Sequence, residues 1–492
     1  QLPLSVGCAP CRAALACERW PLRGMDVHPL FMPIKLSQHP KNEETTFEVN
    51  ITYLMQSPLH QYFKAIQLAV ANISDHADIY FTRPGKDFTR RRLLTAERTV
   101  WMVLSLLRQS LCVEIGHFFQ RLNACQNMPS KSAFVQARSK IRASFFQHLF
   151  IQSAELFYHS FQARHWRSFR VWATDGTGFR LPNTDELGAE FGWHLNQFDA
   201  VPSTHLLVHF DVLNQIIVNA FFHSRYVAET TVACKHIQFL PPDVLMLYDR
   251  GFPAQVIPWL HRYFGSHCLV RLSLSHSLNV KNFVDSGARQ IIVHEPLNIR
   301  SRRTLQSLEI PFDKHPDITY RLIRVDLPTG ETEVLLTTLT DLRRFPHTLF
   351  KDLYHRRWGV ETCFFSLKSL LQIVRSSAIT VNSVWQDLYA TFIIYNFLSA
   401  VHHSMEKEVA HISQRRRTPC QPNRNISVGI FKSFIVRLFL RPREDLDDAI
   451  RQLQGYLLKH LEPIKINHHP RTRKMMRLGE RHNWEANYRH AL

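Results

Sequence analysis

The stretch FRVWATDGTGFRLP, Phe169–Pro182, alternates as a β-strand does. Phe169, Val171 and Ala173 fall on one face, and Arg170, Trp172 and Thr174 on the other. Asp175 follows directly, and Gly176 and Gly178 are expected to end the strand there. An acid at such a point is a candidate site residue, because open α/β sheets bind ligands in the crevice beyond their strand ends.

A second stretch of this kind is DVLMLYDRGFPAQVIPWL, Asp243–Leu260. Val244–Tyr248 is a short apolar run, the pattern of a strand buried on both faces. Asp249 stands at its C-terminal end, and Arg250-Gly251 turns the chain into a helix predicted over Pro253–Phe264. Between the two acids, His205–Leu213 and Ile216–His223 read as a hairpin and Tyr226–Phe239 as a helix. A strand over His267–Ser273 follows. Strand, strand, strand, helix, strand, helix, strand is the order of an RNase H-like core. The fold class is therefore α/β, with a mixed sheet. Such a core carries one acid on its first strand, one after its fourth and one on a later helix.

The candidate third acid lies in LYHRRWGVETCFFSLK, Leu353–Lys368, expected as one helix. Tyr354, Arg357, Glu361 and Lys368 are three, four and seven residues apart, so they share roughly one face, with Trp358 and Phe365 at neighbouring angles. Charges at these spacings also make ordinary solvated faces. The two upstream acids favour a site, in which a carboxylate holds a metal ion and neighbouring cations hold a nucleic-acid phosphate.

These three motifs together resemble the DDE transposases of the insertion-sequence-four family. That family has a DGT-like first motif, here Asp175-Gly176-Thr177. It has a DRGF-like second motif, here Asp249-Arg250-Gly251-Phe252, and a tyrosine, arginine, glutamate and lysine signature, here on the Tyr354 helix. The resemblance covers roughly residues 87–396. It implies that Asp175, Asp249 and Glu361 are both catalytic and metal-binding, using Mg²⁺, for which Mn²⁺ can substitute. Tyr354, Arg357, Lys368 and Arg250 are then DNA-binding. Tyr354 either meets a phosphate or a flipped base, or packs on the sheet edge. The implied activity is cleavage of DNA strands and transfer of 3′-hydroxyl ends to target DNA. The alternatives are a nuclease that cuts without joining, and an inactive DNA-binding relic of a mobile element.

The long connection from Asp249 to Glu361 must hold structure of its own. Tyr320–Leu327 and Glu331–Leu339 flank Pro328-Thr329-Gly330 as a hairpin, and Ile291–Val293 and Leu308–Ile310 could add strands. A mainly β insertion over 274–334 is the expectation, and the family has one. Members that excise through a DNA hairpin often stack a flipped base on a tryptophan within it. No tryptophan occurs between Ser273 and Val334, which leaves Phe283, Phe312 or Tyr320 as stacking rings or, more simply, as core.

Composition agrees with a DNA partner. The chain has 60 Lys+Arg against 41 Asp+Glu, a net charge of +19 and a pI near 9.7, a surplus that attracts polyanions. Basic residues cluster at Arg83–Arg92, Arg415–Arg417 and Lys465–Arg477. The region 25–160 reads as a separate helical unit. Helices are predicted over Thr95–Arg108, with Thr95 as N-cap, over Cys112–Asn123, and over Ser130–Leu149. The last resembles a DNA-reading segment through Lys131, Arg138, Lys140 and Arg142, the plainer reading being a bundle helix whose polar face is basic. By resemblance this region recognises the terminal inverted repeats of double-stranded DNA. The core is assigned to 161–273 and 335–400.

The region 401–492 is helical with a basic tail. Trp385–His402 packs on the core, Ser413–Asn425 is a linker, and Ile426–Leu438 and Asp445–Leu461 are further helices. In related transposases such helices join two copies, which implies a homodimer. Residues 1–24 read as sequence ahead of the true start, because the first methionine is Met25. Cys8, Cys11 and Cys17, with His28, lack a recognised zinc spacing. Scattered cysteines, no secretory signal and no long apolar stretch point to a bacterial cytoplasmic protein on the nucleoid, with no membrane and no small-molecule substrate.

Overall fold

Five consecutive buried residues, Val244–Tyr248, form the centre of the main sheet. The computed structural model describes residues 57–464, apart from 91, 196–199, 253–254, 328–329, 376–377 and 442–444. The 1–24 leader, with its cysteines, and the Lys465–Arg477 cluster lie outside the described residues. Among those described, nine strands make the main sheet. They are β1 (Arg170–Arg180), β2 (Trp193–Leu195), β3 (Ala200–Asp211), β4 (Ile216–His223), β5 (Val244–Tyr248), β6 (His267–Leu272), β7 (Gln290–Pro296), β8 (Asp317–Asp326) and β9 (Thr332–Thr337).

The strands β4-β3-β1-β5-β6 lie side by side in that order. β3 is antiparallel to β1 and to β4, whereas β5 is parallel to β1 and to β6. This is the RNase H-like arrangement that the order of elements predicts. A helix over Asp185–Phe191 and the short β2 also intervene between β1 and β3. The helices of the core fall at Glu229–Ile237 and Val256–Phe264, within the predicted spans.

β1 departs from expectation at its glycines. It does not end at Asp175 but runs on to Arg180, because β3 stays paired with it from Trp172↔Asp211 to Arg180↔Ser203. The ladder bonds hold Gly176 and Gly178 extended. Its parallel partner β5 stops earlier, at Ala173↔Leu247. β1 therefore outruns β5, and from Asp175 onward its β5-side edge lies open. Asp175 stands at the end of the parallel sheet without standing at the end of its own strand.

The insertion also differs. It is not a β unit apart: β9 pairs antiparallel with β6, and β8 and β7 follow, so its strands widen the same sheet. It includes two helices, Leu278–Asp285 and Ile299–Ser307. Leu308–Ile310 follows the second helix and is not a strand. Phe283 and Tyr320 are buried core, and Phe312 is partly buried against it.

The terminal regions are not separate from the core. The Val381–Ser404 helix is buried without a break from Gln386 to Val401. A helix apolar on all sides needs cover on all sides. Here helices from both ends of the chain and one face of the sheet share a single apolar core around it. Its polar groups are paired. Asn396 accepts from the Ile217 N–H and donates to the Ile217 carbonyl, each at 2.9 Å, which fixes the helix to β4. Lys432, on the Arg424–Leu440 helix, pairs at 2.7 Å with buried Glu114, on the Leu111–Arg121 helix.

Thr95 caps the Ala96–Leu104 helix as expected, accepting from the Arg98 N–H. The segment Ser130–Leu149 is broken into Lys131–Ser139 and Ala143–Ser160. The break comes where Thr82 N–H donates to the Lys140 carbonyl and Arg142 N–H to that of Tyr80, both at 2.8 Å. The expected linker is structured in part, since Cys420–Pro422 pairs with Leu461–Pro463. None of the described helices is long and apolar enough to cross a membrane.

Candidate active site

Asp175 lies on the open edge of β1, largely buried. Its Oδ1 accepts from the Gly176 N–H at 2.9 Å, and its Oδ2 receives Arg357 Nη1 at 3.4 Å. Burial holds this carboxyl above the usual range. The Gly176 bond and Arg357 pull it down, and the charges of Asp249 and Glu361 push it up. Asp249 follows β5 directly, and its Oδ1 accepts from the Gly251 N–H at 2.7 Å. A Cβ on residue 251 would come within 2.9 Å of that same Oδ1, which explains the glycine. Glu361 enters from the Gly359–Phe365 helix and accepts from Arg357 Nη2 at 2.8 Å. Asp249 and Glu361, far from Asp175 in the chain, thus both act on it near the end of β5.

The segment that carries Tyr354 to Lys368 is not one regular helix. It is α-helical over Phe350–His355, tightens to a 3₁₀ turn at Arg356–Trp358, and resumes as α over Gly359–Phe365. It then widens to a π turn at Ser366–Leu370. Across these changes of winding Arg357 still pairs with Glu361 and reaches β1 at Asp175. Lys368, in the π turn, reaches back to β1 and donates to the Gly178 carbonyl at 3.2 Å.

Three of the expected DNA contacts need correction. Arg357 is 7% exposed and committed to two carboxylates, so it organises the acids and does not stand free to clamp a phosphate. Tyr354 is 6% exposed within the apolar core, so its ring packs and cannot meet a base. Arg138 is buried, with its guanidinium on Asp387 Oδ1, Gln386 Oε1 and the Ser383 carbonyl, each at 2.6 Å. It fastens the Lys131–Ser139 helix to the Val381–Ser404 helix and cannot reach DNA. Arg250 and Lys131 are exposed, as a DNA contact requires.

Two further features lie near the acids. Trp358 and Phe365 are 56% and 54% exposed on either side of Glu361 in the chain. Glu229, the first residue of its helix, lays its carboxylate against Gly176 and lies 3.9 Å from His205 Nδ1. An acid in the first turn of a helix is commonplace, so nothing in the sequence marks Glu229. Away from the acids, a groove of about 610 Å³ is lined by Lys86, Arg90, Arg92 and Lys140. It sets the Arg83–Arg92 cluster beside the Lys131–Ser139 helix.

The acids fit a hard divalent cation in kind: all are oxygen donors, and Asp175 is partly desolvated beside the charges of Asp249 and Glu361. They do not form a ready cage: among the described residues no three His, Cys, Asp or Glu side chains are grouped to hold a metal ion. Arg357 supplies positive charge between Asp175 and Glu361.

The transposase DDE domain family matches residues 166–397, a span that holds all three acids and the signature helix. The chain is 23% identical over 333 residues to the transposase InsG for insertion sequence element IS4 of Escherichia coli (strain K12), covering 66% of this chain and 72% of that one. The chain is similar to the DDE transposases of the IS4 type. It is also 27% identical over 176 residues to the putative transposase InsZ of Escherichia coli (strain K12), covering 34% of this chain and 57% of that one. Among solved structures it is similar to the piggyBac transposase synaptic complex with hairpin DNA, at a TM-score of 0.37 and 11% identity, covering 85% of this chain and 88% of that one.

Proposed function

We propose that this chain binds the terminal inverted repeats of an insertion sequence, cleaves DNA strands there and joins the freed 3′-hydroxyls to target DNA. The observation that carries this reading is the Arg357 bridge between Asp175 and Glu361, with Asp249 close enough to act on Asp175. Asp175, Asp249 and Glu361 would hold two Mg²⁺ ions, or Mn²⁺. Such ions supply an activated water and stabilise the leaving oxygen. Asp175 would help to hold both ions, and Asp249 and Glu361 one each. Arg357 keeps the first and third acids in place.

The acids are reached across the open edge of β1, where exposed Arg250 offers a phosphate contact. The basic groove at Lys86, Arg90, Arg92 and Lys140, with Lys131 nearby in sequence, suits the DNA ends. Two copies of the chain act together in the synaptic complex, on nucleoid DNA in the cytoplasm. The purified full chain, given end-bearing DNA, target DNA and Mg²⁺, is expected to yield joined products. Cut but unjoined ends would make it a nuclease, and no cutting would make it a binding relic.

Lys368 is proposed to leave the Gly178 carbonyl for a DNA phosphate. Lys368→Ala is then expected to weaken active-site engagement by about 1.5–3 kcal/mol and to lower the salt slope of binding by about one. Equal losses in engagement and in end recognition would contradict that role.

Trp358 and Phe365 offer π faces beside Glu361. Trp358→Ala is expected to weaken binding of ends with an unpaired base by about 1–3 kcal/mol. Fully paired ends should bind as before. An equal effect on both would leave the ring without a stacking role.

A further inference from the structure

The π turn at Ser366–Leu370 sets where Lys368 lies, and the chain leaves it by an unfavourable path. Leu371 N–H donates to the Ser366 carbonyl at 2.9 Å, the wide bond of a π turn. The next residue, Gln372, stands in the left-handed region at φ +49°. Its side chain is buried, and among the described residues neither the amide nitrogen nor the amide oxygen has a hydrogen-bond partner. A left-handed glutamine and a buried, unpaired amide both cost free energy, so contacts from elsewhere must hold the chain on this path.

Arg108 supplies such contacts. Its Nε donates to the Leu371 carbonyl at 3.0 Å and its Nη1 to the Arg375 carbonyl at 2.8 Å, so the two bonds bracket Gln372. Carbonyls beyond the end of a helix lack partners within it, and a guanidinium suits them in charge and in shape. The Nη2 donates to Thr391 Oγ1 at 2.7 Å, which ties the same group to the Val381–Ser404 helix. All three nitrogens are engaged inside the protein, so Arg108 is not itself a DNA contact.

Arg108 is in turn held from the N-terminal side. Its own N–H and that of Gln109 donate to Glu114 Oε1, each at 3.1 Å. Lys432 Nζ donates to the same oxygen at 2.7 Å and to the Leu106 carbonyl at 3.0 Å. Just before this loop lies the Ala96–Leu104 helix, buried from Thr99 to its end. It begins directly after Leu93, Leu94 and the Thr95 cap, and both leucines line the basic groove. The helix is therefore a short, buried strut that runs from the groove to the Arg108 loop.

We propose that Arg108 is a positioning residue for DNA cleavage. By holding the Leu371 and Arg375 carbonyls it fixes the π turn, and so fixes where Lys368 meets the DNA. Through the Ala96–Leu104 helix it ties that setting to the groove that takes the DNA ends. This rests on the reading of Lys368 as a phosphate contact, and it adds the residue through which that contact is placed.

The test is single-turnover cleavage of end-bearing DNA by the full chain with Mg²⁺, run as a double-mutant cycle of Arg108→Gln and Lys368→Ala. Protein is in excess, so that all ends are bound. Arg108→Gln is expected to lower the cleavage rate about 10- to 100-fold, the loss that a small displacement of a catalytic site can cause. Gel-shift affinity for the ends should not change. In the Lys368→Ala chain the same substitution is expected to cost little more, because the residue it acts through is already gone. Equal fold-losses in the two backgrounds would overturn the proposal, as would an unaltered rate for Arg108→Gln alone. A purely structural role would lower the melting temperature and leave the rate per folded molecule unchanged, and that result overturns it too. If Lys368→Ala cuts as the unaltered chain does, the Lys368 reading fails and takes this one with it. An unaltered chain that binds ends without cutting them removes the proposed function and this inference together. Should Arg108→Gln not fold, Arg108→Lys, which keeps the charge and can reach one carbonyl, is read in the same cycle.

Discussion

Replacing Asp175 with asparagine is expected to lower DNA cleavage by about 1,000-fold or more, the several kcal/mol of transition-state stabilisation that bound metal ions supply. End binding is expected to survive, because the basic groove near Lys86 and Arg92 is made by other elements. The substitution is chosen for its shape. Asparagine can keep an oxygen where Asp175 Oδ1 accepts from the Gly176 N–H, and it removes the charge alone. The fold should not suffer. The carboxyl is raised in the folded state, first by burial and also by Asp249 and Glu361. A carboxyl raised on folding weakens the folded state once pH exceeds its unfolded value, and the cost disappears as pH falls. Asp175→Asn should therefore melt at or slightly above the temperature of the unaltered chain near neutral pH. Cleavage gels, gel-shift binding and a melting curve separate the three outcomes. Near-normal cutting by Asp175→Asn, or by Asp249→Asn or Glu361→Gln, would sink the assignment of these acids.

Arg138→Ala should act in the opposite sense, on stability first. The guanidinium and the Asp387 carboxylate are 5% and 4% exposed and 2.6 Å apart. Removing one partner of such a pair leaves the other charged and buried, which costs about 3–5 kcal/mol. Gln386 Oε1 and the Ser383 carbonyl lose the same donor. The cost falls on the joint between an N-terminal helix and the central Val381–Ser404 helix, so a clear drop in the denaturant midpoint is expected. A surface arginine that reads DNA would behave otherwise: stability unchanged, binding weaker, and the loss dependent on salt. An Arg138→Ala chain that unfolds at the original midpoint would refute the buried pair. Replacing both partners by apolar residues of like size is expected to recover most of the loss.

The contrast between these two residues shows what a sequence can carry. Asp175 was legible because two local patterns meet at it: period-two alternation before it and glycines after it. Those patterns are set by neighbours in the chain, and so are the apolar run before Asp249 and the order of strands. Arg138 was not legible. A basic residue on a short amphipathic helix looks the same whether it faces phosphate or Asp387, which lies 249 positions away. Arg357 was found but misread. Its spacing to Glu361 is local, whereas its second carboxylate, Asp175, is brought in by β1. The glycines of β1 were read as a stop because glycine is a poor strand residue. Cross-strand bonds to β3 overrode that preference.

By itself the sequence determined the RNase H-like order of elements, the three candidate acids and the resemblance to a transposase family. Alternation, apolar runs and motif spacing are properties of short segments. The tertiary structure alone decided that the insertion joins the same sheet, and that helices from both ends share one core with it. It decided that Arg138 and Tyr354 are buried, and that Glu229 meets Gly176. Each of these depends on which distant surfaces exclude water from one another, and no local pattern in the chain specifies that pairing.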